Sequence, residues 1–146
     1  MISITVTQKI AATPRQLSHC LLEHAQLKRF FNAKFTLIKA ENNGERVGGK
    51  GAIRQVTTLG YTFNEQITAA NDKQISYQIM GNKPVAAHRG DIYFQPLNTT
   101  PSSTEVRYHI RCKAPWFLPS FMVSLFIKKD ITHALQKLAA NFNQGE

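Results

Sequence analysis

The chain opens with a strict alternation of apolar and polar residues. Ile2, Ile4 and Val6 fall on one side, with serine and threonine between them. A period of two is that of a half-buried β-strand, whose successive side chains point to opposite faces of a sheet. The sequence therefore predicts a strand over the first ten residues.

A helix start follows this strand. Thr13 can serve as N-cap, Pro14 fits the first helical position, and Gln16 is the matching partner of a capping box. Apolar residues then recur at the spacing of one helix face, at Leu17, Cys20, Leu21 and His24. We predict an amphipathic helix that runs toward Phe30 and Phe31.

The middle of the chain has the alternation of strands joined by short turns. The predicted strands are residues 35–41, 51–58, 61–69, 74–80, 88–96 and 104–113. In the last strand one side carries Val106, Tyr108, Ile110 and Cys112. The other side carries Glu105, Arg107, His109 and Arg111. This pattern indicates a sheet with one dry face and one wet, basic face.

The final segment, residues 119–143, has the composition and spacing of one long helix. Its predicted buried stripe is Phe121, Leu125, Ile131, Leu135, Leu138 and Phe142. A helix of roughly 25 residues is about 37 Å long, which is enough to cross a whole sheet. The order of strand, helix, six strands and long helix predicts an α+β fold, an antiparallel sheet with its helices on one face.

Composition and charge narrow the classes of protein. The 146 residues, 42% of them hydrophobic, suit one domain spanning residues 1–146. No run of about 18 apolar residues and no secretory signal is present, so we expect a cytoplasmic protein with Cys20 and Cys112 as free thiols. The net charge of +9 favours an anionic contact, whether nucleic acid, membrane surface or acidic partner. The basic residues are scattered, which is also typical of a plain soluble surface.

A glycine-rich stretch, GGKGAIR at residues 48–54, poses the question of a phosphate-binding loop. Such a loop needs a helix after its glycines, but the residues that follow have β-branched side chains at alternating positions. The Walker and Rossmann spacings are both missing. The stretch therefore favours a turn that enters a strand.

That strand can form a hairpin with the next one through a two-residue turn at Leu59 and Gly60. Such a turn makes Thr58 face Tyr61, Val56 face Phe63 and Arg54 face Glu65. Tyr61, Phe63, Glu65 and Ile67 then share an inward face, as do Ile75, Tyr77 and Ile79 on the following strand. His88 shares the inward face of Ile92 and Phe94.

Arg54, Glu65, Tyr77 and His88 thus form the polar set among inward apolar residues. An arginine opposite a buried carboxylate keeps that carboxylate ionised. One interpretation is that the pair only holds two strands together, and the other is that it orients the polar end of an apolar ligand. A third hypothesis is catalysis, with Glu65 or His88 as general base toward an enolisable carbonyl.

One candidate metal site is on the first helix. Cys20 and His24 share a helix face with His19 nearby, but two ligands do not make a metal site, and we expect no metal and no cofactor.

The segment PWFLPSFMVSLFIKK, residues 115–129, is rich in apolar residues and ends in two lysines. It is either the cavity wall together with the sheet-facing stripe of the helix, or a lipid-facing entrance that contacts an anionic membrane transiently.

The succession of these motifs resembles the helix-grip fold of the START/Bet v 1-like (SRPBCC) superfamily, in particular its small bacterial members named after polyketide cyclases and dehydratases. The motifs are ITVTQKIAATPRQLSHCLLE, VGGKGAIRQV, FNEQITAAN, RGDIYFQPL and the closing ALQKLAANF. After the first helix, Arg29-Phe30-Phe31 departs from the aromatic pair usual in the family. The resemblance implies a curved antiparallel β-sheet wrapped around a long C-terminal α-helix, with an apolar cavity between them.

This resemblance implies binding rather than a particular reaction, since such folds host transfer proteins, receptors and enzymes. We predict a protein that binds a hydrophobic small molecule or lipid and is non-catalytic. The predicted ligand-binding residues are Arg54, Phe63, Glu65, Tyr77, His88, Ile92, Phe94, Tyr108, Phe121 and Leu125. The alternatives are a cyclase- or dehydratase-like enzyme acting on a polyketide-like or aromatic substrate, and a basic surface that binds nucleic acid or anionic membrane. Specific nucleic-acid binding is not expected, because Tyr108 points inward; the oligomeric state is left open.

Overall fold

The computed structural model describes residues 1–99 and 102–143. Its elements follow the predicted order, with seven strands, two α-helices and a short 3-10 helix. They are β1 (Ile2–Ile10), α1 (Pro14–Leu22), the 3-10 helix (His24–Arg29), β2 (Lys34–Lys39), β3 (Ile53–Thr58), β4 (Tyr61–Ala70), β5 (Gln74–Met80), β6 (Ala86–Leu97), β7 (Ser103–Lys113) and α2 (Ser120–Asn143).

The strands form one antiparallel sheet in the order β1-β7-β6-β5-β4-β3-β2. The first strand, β1, pairs with the last, β7, and Ile4 lies opposite Ile110. One face of the sheet packs against α2 and α1, and the predicted alternation on β7 is confirmed, since Val106 is 0% exposed and its neighbour Arg107 is exposed. The helix-grip α+β fold is confirmed.

The hairpin between β3 and β4 has the predicted register. Thr58 pairs with Tyr61, and Arg54 pairs with Glu65. Leu59 and Gly60 both have positive φ, of 50° and 81°. Two positive φ angles are typical of a turn whose twist matches that of antiparallel strands, so this turn fixes the register even with leucine in its first position.

Local chain geometry explains the start of α1 and its early end. The Thr13 side chain accepts from the backbone N–H of Gln16, and the Gln16 side chain accepts from that of Thr13, so the predicted capping box is confirmed. The predicted continuous helix toward Phe30 is wrong, because Glu23 has a ψ of 78° and ends α1. A separate 3-10 helix follows and begins with His24.

The glycine-rich stretch is a turn before a strand, as predicted. Gly48 and Gly51 have φ of 75° and 92°, and β3 begins only at Ile53. A Cβ at Gly48 would stand 2.5 Å from the carbonyl oxygen of Leu22. The glycine is therefore required by both its conformation and the close approach of α1.

The buried face of α2 differs from the prediction in its first half. Phe121 and Leu125 are 66% and 65% exposed, so their assignment to the buried stripe is wrong. Val123 and Ile127 face β1 instead, in a small cluster with Ile2, Ile4 and Cys112. Further along, Ile131, Leu135 and Leu138 are buried as predicted. Residues two apart lie on nearly opposite sides of a helix, so a shift of two positions exchanges the buried and exposed faces.

Candidate functional site

A pocket of about 160 Å³ lies between the inner face of the sheet, the 3-10 helix region and α2. Its walls are mostly apolar, and include Leu27, Phe31, Ile75 and Ile131. Exposed Asn32 and half-exposed Phe126 also line it, so the pocket opens between the chain before β2 and α2.

The polar floor of this pocket is built around Arg54. Its Nε and Nη2 donate to one carboxylate oxygen of Glu65, at 2.9 and 2.8 Å, and both side chains are 8% exposed. The guanidinium carbon lies 5.1 Å from the ring centre of Phe35 and 4.9 Å from that of Tyr77. The charge is thus held by one carboxylate and two aromatic faces, an arrangement suited to a planar guanidinium.

His24 contacts Arg54 from the 3-10 helix without lining the pocket itself. Its Nε2 lies 2.8 Å from the carbonyl oxygen of Gly48, and its Nδ1 lies 3.2 Å from Nη1 of Arg54. A carbonyl only accepts and a guanidinium only donates, so the pairing assigns the proton to Nε2 and leaves Nδ1 as acceptor. Burial, followed by the charge of Arg54, lowers the pKa of His24 to about 4, which keeps the ring neutral at pH 7.

Two tyrosines join β5 and β7 across the pocket floor. The hydroxyl groups of Tyr77 and Tyr108 are hydrogen-bonded to each other, and both side chains are buried. Burial raises the pKa of both phenols, so they remain protonated at neutral pH. Gly90 makes room for Tyr77, because a Cβ there would lie 2.4 Å from a ring carbon of Tyr77.

His88 stands beside this pair, with its ring centre 5.7 Å from that of Tyr77. The β6 register shifts between Ala86 and Arg89, and Ala87 has a φ of 52°, which turns the start of the strand. Burial lowers the pKa of His88, more strongly than the nearby Glu65 raises it. Its buried Nδ1 has no hydrogen-bond partner among residues 1–99 and 102–143. A buried polar atom of this kind is uncommon, and indicates a place for a ligand or water group.

The α2 wall adds one more titratable group, Asp130. Phe126, Ile127, Asp130 and Ile131 line the pocket from this helix. Partial burial raises the pKa of Asp130, although His133 and Lys137 act in the opposite direction.

The structure brings most of the predicted site residues together. Those that line the pocket are Arg54, Phe63, Glu65, Tyr77, His88, Ile92 and Tyr108. Phe94 is buried in the core but lies two residues, about 7 Å, beyond Ile92 along β6 and outside the pocket. Phe121 and Leu125 also lie outside the pocket, because they are on the exposed side of α2. Whether the lining residues bind a ligand stays a prediction.

Sequence reasoning missed the lining residues Phe31, Phe35 and Asp130, and it missed His24 as a neighbour of Arg54. Phe35 pairs with Val56, which the hairpin register had already placed on the inward side, so alternation alone indicated its face. What the sequence could not give was the pairing of β2 with β3, since an irregular segment of residues 40–52 connects them.

Within the described part of the chain, no three His, Cys, Asp or Glu side chains cluster as a metal site would require.

The outer face of the sheet bears on the predicted nucleic-acid alternative. Exposed Arg107 pairs there with Tyr93, which is 37% exposed, so this basic face does carry an aromatic side chain. In the same described ranges, neither helix is both long and apolar enough to cross a bilayer.

Comparisons with solved structures give the fold. A START superfamily protein from Mycobacterium smegmatis superposes with a TM-score of 0.80 at 15% identity, covering 99% of both chains. The protein XoxI from Bacillus cereus gives 0.73 at 17% identity, covering 97% of this chain and 96% of that one. BexL, a di-domain ARO/CYC protein of the BE-7585A biosynthetic pathway, gives 0.73 at 14% identity, with 97% of this chain matched to 46% of BexL.

Sequence comparison gives the family. No curated protein sequence matches the chain. The profile of one family, described as polyketide cyclase/dehydrase and lipid transport, matches residues 1–143. With its seven-stranded sheet, long closing helix and internal pocket, the chain belongs to the polyketide cyclase/dehydrase and lipid transport family of the START/Bet v 1-like superfamily.

Proposed function

We propose that this protein binds a hydrophobic small molecule in the pocket between the sheet and α2, with one polar group of the ligand at the pocket floor. The observation that carries this proposal is His88, which lines a mostly apolar pocket and whose buried Nδ1 has no hydrogen-bond partner among the described residues. Few polar groups in an apolar pocket are typical of small-molecule sites, where they fix orientation and specificity.

The pocket volume limits what enters it. A cavity of about 150 Å³ holds benzene, so the 160 Å³ here accommodates one ring or a short chain segment. A larger ligand would extend past Phe126 toward solvent, because this side chain both lines the pocket and is 53% exposed.

The charge balance of the floor favours a neutral ligand. Arg54 and Glu65 neutralise each other, and the lowered pKa values of His24 and His88 leave both rings uncharged at pH 7. A carboxylate would be desolvated there without a free counter-charge, which is costly. A hydroxyl group can instead donate to Nδ1 of His88 or accept from it, according to the tautomer, and thereby satisfy this buried atom. We therefore expect an apolar ligand with a hydroxyl end.

Three probes of matched shape test this proposal by NMR titration of the ¹⁵N-labelled protein. We expect para-cresol to bind most tightly, toluene less tightly, and para-toluate least. Shifts should be concentrated at pocket residues, with the imidazole nitrogens of His88 responding to para-cresol only. No binding by any probe would contradict the pocket function, whereas equal binding of para-cresol and toluene would contradict only the hydroxyl contact.

A matched pair of variants on α2 separates pocket binding from surface binding. Ile127→Trp fills the pocket and should abolish binding of para-cresol, whereas Lys129→Trp adds the same side chain at an exposed position and should leave it unchanged. Native mass spectrometry of protein purified from its own host, followed by extraction of the bound material, identifies the natural ligand.

A second candidate function is catalysis, as in a cyclase- or dehydratase-like enzyme. The observation in its favour is a neutral His88 in the pocket, since a neutral imidazole can act as general base. Glu65 is less suited to this role because Arg54 holds one of its oxygens twice. The similarity to BexL, itself described as ARO/CYC, supports the same candidate. Deuterium exchange of acetylacetone in D₂O, faster with the protein than with His88→Gln, is the expected result if His88 acts as a base.

A further inference from the structure

A second surface of the molecule is strongly apolar although it is exposed. It comprises the turn before α2 and the first two turns of that helix, and we call it the apolar rim. Its members are Trp116, Phe117, Leu118, Phe121, Met122, Leu125 and Phe126. Trp116 is 95% exposed and makes an edge contact with Phe117 at 5.8 Å between ring centres.

The apolar rim does not contribute to the core. The buried side of this half of α2 is formed by Val123 and Ile127, which pack against β1. Phe121 and Leu125 each precede one of these residues by two positions and so point away from the sheet. Monomeric proteins rarely expose apolar patches of this kind unless the patch contacts a partner or a membrane.

Positive charge borders the apolar rim on both sides. Lys113 precedes it, Lys128 and Lys129 follow it, and the sequence between residues 113 and 129 contains no aspartate or glutamate. Lys128 and Lys129 are exposed and stand three and four positions after Leu125, so they continue the same helix face one turn further on. That turn places their Cα atoms about 5 Å further along the helix axis.

Three kinds of binding partner for the apolar rim differ in how well they match its charge and its apolar side chains. A second copy of this chain would bring another net charge of +9 to the same place and be repelled. A nucleic acid would pair with the lysines and can stack its bases on the aromatic side chains, but it would leave the aliphatic Leu118, Met122 and Leu125 in water. An anionic bilayer satisfies both, because acyl chains accept the apolar side chains while acidic headgroups pair with lysine.

We propose that the apolar rim inserts into the surface of an anionic lipid membrane, with Lys128 and Lys129 at the level of the headgroups. Phe126 belongs both to the rim and to the pocket lining, so insertion brings the pocket mouth against the bilayer. An apolar ligand then passes between bilayer and pocket without crossing water. That consequence rests on the proposed function, whereas membrane insertion stands independently of it.

The sole tryptophan of the chain, Trp116, lies in the apolar rim and reports on insertion directly. Phosphatidylcholine vesicles containing phosphatidylglycerol should shift its emission to shorter wavelength, and brominated acyl chains should quench it. Vesicles of phosphatidylcholine alone should bind the protein far more weakly, and added salt should weaken binding to the anionic vesicles.

Surface variants test the two parts of the contact in a vesicle co-sedimentation assay. Phe121→Ser and Leu125→Ser should each weaken binding about tenfold, since each removes a large exposed apolar side chain. Val47→Ser removes an apolar side chain that is 84% exposed in the segment between β2 and β3, and is expected to have no effect.

The charge part is tested by Lys128→Gln and Lys129→Gln, each of which should weaken binding about fivefold. The double variant Lys9→Gln/Lys73→Gln removes two positive charges at other exposed positions, twice as many as either of these variants, and should still weaken binding less than either one does.

Three results would overturn the proposal. Sedimentation with anionic vesicles but without any change in Trp116 emission would mean adsorption through charge alone. A concentration-dependent emission shift without vesicles, together with a dimer in light scattering, would assign the apolar rim to a second copy of the chain. Equal effects of Val47→Ser and Leu125→Ser would mean that the rim is not the contact. Each of these outcomes leaves the para-cresol titration of the pocket unaffected.

Discussion

Arg54 and Glu65 face each other across the β3–β4 ladder, and one oxygen of Glu65 accepts from both Nε and Nη2 of Arg54 at 2.9 and 2.8 Å. Each residue is only 6% exposed. The pair therefore cancels its own charge at the base of an apolar pocket, and this cancellation is what favours a neutral ligand there.

Breaking this pair should be more damaging than removing it whole. Glu65→Ala leaves a buried guanidinium without its carboxylate and should lower the free energy of unfolding by about 3 kcal/mol or more, whereas Arg54→Met/Glu65→Leu should recover much of that loss. Urea denaturation of the variants measures both values.

The half-buried ion pair of Arg46 and Asp72 provides the control. The side chains of Arg46 and Asp72 are 30% and 46% exposed, so the loss of this ion pair in Asp72→Ala should cost about 1 kcal/mol or less. The lost hydrogen bond from Ser18 adds to this cost, and the total should remain below that of Glu65→Ala. Additive losses from the two single substitutions at Arg54 and Glu65 would show that they are not coupled.

The buried histidine predicts a pH dependence of stability. The pKa of His24 is about 4 in the folded protein and near 6.5 in the unfolded chain, so between these values the unfolded state binds more protons. The stability that neutral His24 contributes is therefore fully present above about pH 6.5. As the pH falls toward 4, the free energy of unfolding decreases by about 3 kcal/mol because of this residue. The lowered pKa of His88 acts in the same direction.

Urea denaturation between pH 7 and pH 4 measures this dependence. His24→Gln should be less stable at pH 7 but should lose less stability on acidification than the parent protein. His19→Gln, at an exposed position, should retain the parent's dependence. A parent-like slope in His24→Gln would contradict the assignment.

The two faces of β7 should respond oppositely to charge. Val106→Asp places a carboxylate at a position with 0% exposure and should unfold the protein or nearly so. Arg107→Asp, on the outer face, should change the unfolding free energy by about 0.5 kcal/mol or less. Thermal melts followed by circular dichroism distinguish these outcomes, and equal effects would be inconsistent with the two-faced sheet.

The glycine-rich turn offers a matched pair of substitutions. Gly48 and Gly44 have φ of 75° and 85°, but a Cβ at Gly48 would meet the Leu22 carbonyl oxygen at 2.5 Å, whereas one at Gly44 would meet nothing within 4 Å. Gly44→Ala should cost about 1 kcal/mol from conformation alone, and Gly48→Ala clearly more. Similar losses in urea denaturation would mean that the turn does not pack tightly on α1.

The basic surface predicts weak contact with nucleic acid. Affinity for duplex DNA should be low, independent of sequence and steeply reduced by salt, because it arises from scattered lysines and arginines. Fluorescence anisotropy with two unrelated duplexes at several salt concentrations measures this. A salt-resistant site specific for one duplex would favour the nucleic-acid function instead.

Features that depend on neighbouring residues could be predicted from the sequence. The alternation of β7, the capping box of α1 and the two-residue hairpin at Leu59 and Gly60 are each determined within a few positions of the chain. The hairpin alone sufficed to place Arg54 opposite Glu65, because a short turn fixes the register of both strands.

Features that depend on distant segments required the tertiary structure. His24 reaches Arg54 across 30 positions of sequence, and Phe35 covers the guanidinium only because β2 pairs with β3. The face that α2 buries was decided by where β1 lies, not by the apolar content of the helix, which is high on both sides of its first half. Periodicity reports local geometry, whereas the choice between two apolar faces is made by the surface that packs against one of them.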